Sequence, residues 1–169
     1  MSDAAGSRRP PRVVLMCGIA GAGKTTYSKA LESRGYVRLS IDEEIWERFG
    51  RYGVDYDPDE YGRHSAAAEA ALTERLLDLI DRGRDVVVDL SFWQRAARDR
   101  CKRLVEEAGA AWELVYLKVD PAILRERLAT RSARFDANAA FPITDQLLEA
   151  FMSDFEEPRD EGETVIEEP

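Results

Sequence analysis

Gly18 to Thr25 read GIAGAGKT, and the six residues directly before them, Arg12 to Cys17, read RVVLMC. An apolar run with no polar alternation fits a strand buried on both faces. The residues from Lys24 to Ser33, KTTYSKALES, fit a helix. Joined by a glycine-rich turn, a buried strand and a helix admit few folds. The turn must lie at the carboxyl end of a parallel strand, and a parallel sheet needs helices on both faces.

The rest of the chain repeats that alternation. Gly35 stops the first helix, Tyr36 to Ser40 alternate as a second strand, and Asp42 to Phe49 are helical. The stretch from Gly50 to Tyr61, GRYGVDYDPDEY, reads as a loop. Leu72, Leu76, Leu79 and Ile80 form one face of a helix from Ser65 to Arg82, which Gly83 ends. Asp85 to Leu90, DVVVDL, is a third strand, and Ala97, Cys101, Leu104, Val105 and Ala108 mark a further helix closed by Gly109. A strand from Trp112 to Val119 follows, then a helix started by Pro121 that carries Leu124 and Leu128. After a mixed stretch from Ser132 to Pro142 come a helix from Thr144 to Phe155 and a short last strand from Thr164 to Ile166. No internal repeat interrupts the pattern. The fold class is α/β, with ligands expected at the carboxyl ends of the strands.

The length of 169 residues suits one domain, expected over 12–169 with a disordered arm at 1–11. Hydrophobic residues make up 44%, yet no run approaches the roughly 18–20 apolar residues of a membrane span, so no membrane association is expected. The two cysteines, Cys17 and Cys101, are too few and too isolated for a disulfide scaffold or zinc site, which makes a cytoplasmic protein the expectation. Cys101 should face the core. A formal charge of −9 repels a polyanion except at a locally basic groove, so nucleic acid is disfavoured as a partner. A monomer or weak dimer is expected.

Three strand ends carry candidate chemistry. GIAGAGKT satisfies G-x-x-x-x-G-K-[ST] between a strand and a helix, the context in which that pattern cradles phosphates. Gly18, Ala20, Gly21, Ala22, Gly23, Lys24, Thr25 and Thr26 form the candidate nucleotide site. Backbone N–H groups would wrap the β-phosphate, Lys24 would bridge β- and γ-phosphates, and the Thr25 hydroxyl would bind Mg²⁺. Asp42 follows the second strand closely enough to take a proton from an incoming hydroxyl. Ser40 and Glu43 also spell an S-x-x-E capping box, in which Asp42 is merely an acid favoured by the helix dipole. Asp89 ends the third strand, where an acid reaches Mg²⁺ directly or through water; a solvated acid is the alternative. Trp93 could line an acceptor pocket or pack in the core. Arg95, Arg98 and Lys102 lie on the helix face opposite the apolar one; Arg98 is a candidate substrate contact, against a plain solvent face. Arg127 and Arg131 lie four apart, and Arg134 extends the row if the helix persists, a candidate set for transition-state charge carried on a lid at about 127–143. His64, the only histidine, is expected to be an ordinary surface residue.

Taken together, GIAGAGKTT, SIDEEIW, DLSFWQRAARDR and RERLATR resemble the AAA-33-type phosphate-loop kinases, a group similar to polynucleotide kinases, chloramphenicol phosphotransferase and zeta toxins. The resemblance runs from Arg12 over nearly the whole chain. It implies a P-loop NTPase three-layer α/β/α fold with a five-stranded parallel sheet in order 2-3-1-4-5 and a helical lid. It also implies an NTP donor with Mg²⁺, a general base at Asp42 and an arginine-bearing lid around Arg127 to Arg134. Polynucleotide kinases of this group place an arginine three residues after the base, where this chain has Ile45.

The leading expectation is therefore a kinase that moves the γ-phosphoryl group of ATP, or GTP, to a hydroxyl of a small molecule such as an antibiotic, sugar or other metabolite. A polynucleotide or nucleoside 5′-hydroxyl kinase, with Arg95, Arg98 and Lys102 as phosphate track, is the alternative. A nucleotide switch without transfer is the third reading; the N-K-x-D signature of guanine switches is absent.

Overall fold

The computed structural model describes residues 8–131, 136–137 and 143–168. Its sheet has five strands: β1 (Arg12–Cys17), β2 (Val37–Ser40), β3 (Val86–Asp89), β4 (Ala111–Val119) and β5 (Glu163–Glu168). Every pairing is parallel and the order is β2-β3-β1-β4-β5, the order the resemblance implies. The helices among the described residues are α1 (Lys24–Glu32), α2 (Ile41–Phe49), α3 (Tyr61–Asp81), α4 (Arg95–Glu107), α5 (Pro121–Arg131) and α6 (Asp145–Asp154).

β1 explains the three layers. Val13, Leu15 and Cys17 point into one core with Leu72, Leu76 and Ile80 of α3 and Val105 of α4. Val14 and Met16 point into the other, with Leu124 and Leu128 of α5 and Leu148 of α6, while Tyr27 and Leu31 of α1 pack against it. A strand feeding two cores cannot alternate polar with apolar, which is why RVVLMC reads as a continuous run. Because α1 leaves β1 on one face and α4 leaves the neighbouring β3 on the other, the loops after these strands part and open a crevice between them.

Register carries the strand ends to that crevice. Leu15 pairs with Val88, and Ser40 with Asp89, so the end of β2, the end of β3 and the turn after Cys17 meet at one edge of the sheet.

Two boundaries and one side-chain environment depart from the sequence reading. A 3-10 turn at Pro58–Glu60, with Asp57 capping it, starts α3 at Tyr61 rather than Ser65. Gly62 therefore sits inside the helix, because the Asp57 cap outweighs glycine's cost there. The last strand runs from Glu163 to Glu168, longer than Thr164 to Ile166; its side chains are mostly exposed, since an edge strand needs only the β4 ladder and one packed residue, Ile166. His64 is not a free surface residue: its ring stacks on Phe49 at 3.8 Å and meets Tyr56 edge-on, within a small core of Ile45, Tyr56 and Ala68.

Candidate active site

A cleft of about 1470 Å³ opens at the carboxyl ends of the strands, lined by the glycine-rich turn, Asp42, Asp89, Trp93, Arg127 and Arg131. Its floor is the phosphate-loop turn. Gly23 caps α1 with φ 98°, a left-handed conformation that a side chain would strain. At Gly18 a Cβ would lie 3.1 Å from both the Leu117 carbonyl oxygen and the Ala22 Cβ, so the turn packs where only glycine fits. Gly18, Gly21, Gly23, Lys24, Thr25 and Thr26 face the cleft, while Ala22 is buried in the core and Ala20 packs against it. Lys24 Nζ donates to the carbonyls of Gly18 (2.9 Å) and Ile19 (3.0 Å), which holds the ammonium over the turn. Burial pulls its pKa below the ordinary lysine value, with Asp89 and Asp42 opposing.

Thr25 and Asp89, the two candidate metal contacts, come together: Thr25 Oγ1 donates to Asp89 Oδ2 at 3.2 Å. The same carboxylate oxygen accepts from Ser28 Oγ (3.0 Å) and from Arg38 Nε (3.1 Å) and Nη2 (2.8 Å). Arg38 and Asp89 expose only 3% and 5% of their side chains, so the pair is a buried one that fixes the carboxylate. A hydroxyl beside a fixed carboxylate, under a turn of glycine amides, fits magnesium bound jointly with nucleotide phosphates, since that ion keeps waters and needs few protein oxygens. Neither Arg38 nor Ser28 was legible as a site residue. Arg38 sits in the strand pattern, and only the register of β2 on β3 sets it against Asp89.

Asp42 occupies the first turn of α2. Ser40 Oγ accepts the Glu43 N–H at 3.3 Å, so the N-cap half of the S-x-x-E box is formed, while the Glu43 carboxylate reaches Arg38 Nη1 at 2.7 Å. Capping and a place in the cleft are thus compatible: Ser40 starts the helix whose first turn carries Asp42 at the cleft. Burial holds the Asp42 carboxyl above the ordinary aspartate value; Arg131 and Lys24 pull it down and Asp89 pushes it up. Tyr61, also in the cleft wall, is raised by burial and by Asp42.

Of the arginine row, Arg127 leans on the phosphate-loop turn, with Nη1 3.2 Å from the Gly21 carbonyl, and pairs with Glu168. Arg131 lines the cleft and interacts electrostatically with Asp42 and Lys24. Arg134 and most of the stretch read as a lid lie outside the described residues. Trp93 is 45% exposed and lines the cleft. Arg98 is a correction: its side chain is fully buried, away from the cleft, and bonded to Glu161. Lys102 is buried beside it, so the face of α4 that reads as basic solvent surface is largely interior. The reason is Glu161, a carboxylate supplied from far along the chain, which repays the desolvation of both cations.

Sheet order, three layers and the glycine-rich turn together define a phosphate-loop fold of the three-layer α/β/α type. The family model described as "AAA domain", of the AAA-33 type, matches residues 13–158, and the chain belongs to that family. No curated protein matches it significantly in sequence. Among solved structures it is similar to a candidate kinase from Chloroflexus aurantiacus J-10-fl, at 21% identity and TM-score 0.74 over 94% of this chain and 85% of that one. It is similar to a gluconokinase from Sinorhizobium meliloti 1021, at 24% identity and TM-score 0.62 over 95% and 84% of the two chains. A chain of the Pnkp1/Rnl/Hen1 RNA repair complex shares 18% identity and TM-score 0.61 over 92% of this chain and 49% of its own. At these identities the likeness is one of fold. Among the described residues no helix is long and apolar enough to cross a membrane.

Proposed function

We propose that this protein is an ATP-dependent kinase that transfers the γ-phosphoryl group to a hydroxyl of a small molecule. The convergence of Lys24, Thr25, Asp42, Asp89 and Arg131 on one cleft carries the reading. Glycine amides and Lys24 hold the donor phosphates, and Lys24 moves from the loop carbonyls to the phosphate oxygens when these arrive. Thr25 and Asp89 would hold Mg²⁺, which would supply neutralisation of phosphate charge. Asp42 orients the acceptor hydroxyl and takes its proton; a carboxylate held above its ordinary pKa is the stronger base. Arg131 faces Asp42 and Lys24 and so meets the transferring group, whereas Arg127 braces the turn. Tyr61, Ser65 and Glu69 of α3, with Trp93, Gln94 and Arg100 from the segment after β3, also line the cleft, and we assign them to the acceptor compartment, where their ring faces and mixed polar groups suit a polyhydroxylated metabolite. The gluconokinase among the similar folds agrees with such an acceptor.

The nucleic-acid alternative loses its proposed phosphate track, because Arg98 and Lys102 are committed to Glu161. A screen with γ-labelled ATP over sugars, sugar acids, other small hydroxyl compounds, nucleosides and 5′-hydroxyl oligonucleotides tests the proposal. Label on a small molecule is expected; label on the oligonucleotide alone, or hydrolysis with no acceptor, defeats it.

A further inference from the structure

The buried ionic cluster between α4 and the segment before β5 takes no part in the steps above, yet it bonds the turn that carries Phe92 and Trp93. Arg98 Nε and Nη2 donate to Glu161 Oε2 (2.8 Å) and Oε1 (2.7 Å), a bidentate fork, while Nη1 donates to the Phe92 carbonyl at 2.8 Å. Lys102 Nζ donates to the Glu161 carbonyl at 2.9 Å and lies 3.5 Å from Oε2. All three residues are buried. Phe92, whose carbonyl accepts from Arg98 Nη1, has φ 45°, a conformation that a bulky residue keeps only where its surroundings over-determine it. The same turn is tied on both sides: the Ser91 carbonyl accepts from the Gly18 N–H at 3.2 Å, and the Trp93 carbonyl from the Glu156 N–H at 2.9 Å. Next to the strained residue, Trp93 stands exposed in the cleft.

We propose that Arg98 is a positioning residue for the acceptor: with Glu161 and Lys102 it locks the Phe92–Trp93 turn, so that Trp93 forms a fixed wall of the acceptor compartment. The proposal rests on the reading of that compartment as the acceptor's. A pair serving stability alone could be replaced by apolar residues of similar volume. The bond to the Phe92 carbonyl could not. Two variants test it: the apolar pair Arg98→Met with Glu161→Leu, which strands neither of these charges, and Arg98→Lys, which keeps charge and loses the fork. Hydrogen exchange at residues 90–94, affinity for a fluorescent ADP analogue with Mg²⁺, and melting temperature are measured on each. Both variants are expected to stay folded and to bind the ADP analogue within about threefold of wild type, with amide exchange in 90–94 faster by about tenfold or more. With the acceptor found in the labelled screen, KM for that acceptor rises about tenfold while kcat holds within about threefold. Exchange in 90–94 that stays at the wild-type rate overturns the proposal, as does acceleration spread evenly over the chain. A chain that labels no acceptor yet shows the local acceleration leaves the lock standing and sinks the kinase reading.

Discussion

Asp42 and Arg38 decide the site at the scale of single residues. Replacing Asp42 with Asn keeps the shape and removes the proposed base; kcat is expected to fall by about 10²–10⁴-fold with nucleotide affinity unchanged, measured by labelled transfer and by titration of a fluorescent nucleotide. The pH dependence follows from the raised carboxyl. Transfer is lost as pH falls through that raised pKa, so the acid limb of kcat/KM lies above the ordinary aspartate value of 3.8 and disappears in Asp42→Asn. Stability runs the other way. Between the unfolded value and the raised folded one, the native state binds the extra proton, so stability declines as pH rises through that window and stays lower above it. Asp42→Asn should therefore melt at a higher temperature than wild type at pH 7, as calorimetry can check. Arg38→Leu strands the buried Asp89 carboxylate and should cost about 3–5 kcal/mol by urea unfolding.

At the scale of elements, α2 starts at a side-chain cap within one turn of the proposed base. Ser40→Ala removes the oxygen that accepts the Glu43 N–H and should cost about 1 kcal/mol, with a drop in kcat larger than any change in nucleotide affinity, since the cap starts the turn that carries Asp42. This cap was legible, because S-x-x-E is a local signature and its partners lie within one helical turn. The strands were legible as apolar runs for a similar reason: burial on both faces leaves its mark on consecutive residues. α4 was not. Its period marks one apolar stripe, but a second buried face appears only when Glu161, 63 residues along the chain from Arg98, arrives to pair with it.

At the scale of the whole molecule the parallel sheet carries a cleft at its strand ends, and a ligand that binds there only in the folded state stabilises the fold. A non-hydrolysable ATP analogue with Mg²⁺ at about 100 times its Kd should add about 2.7 kcal/mol, seen as a rise in melting temperature that chelation of the metal diminishes. An unchanged melting temperature at saturating analogue would count against nucleotide binding itself.

What the sequence determined by itself lies in short stretches. The glycines, Lys24 and Thr25 occupy positions that strand and helix grammar alone assign, because a phosphate cradle is built from consecutive backbone N–H groups at a helix start. Strand order came with the resemblance that GIAGAGKTT and its companions carry, not with periodicity, which is silent on neighbours. Tertiary structure decided the rest. Register set Ser40 beside Asp89 and Arg38 against its carboxylate, and the crossing of α1 and α4 to opposite faces opened the cleft. The difference between Arg98 and Arg131, one walled in and one facing Asp42, is a matter of which carboxylate the fold brings near. A charge is read as surface in a sequence because water is its cheapest partner, and only the fold can bring the Glu161 carboxylate that replaces that water.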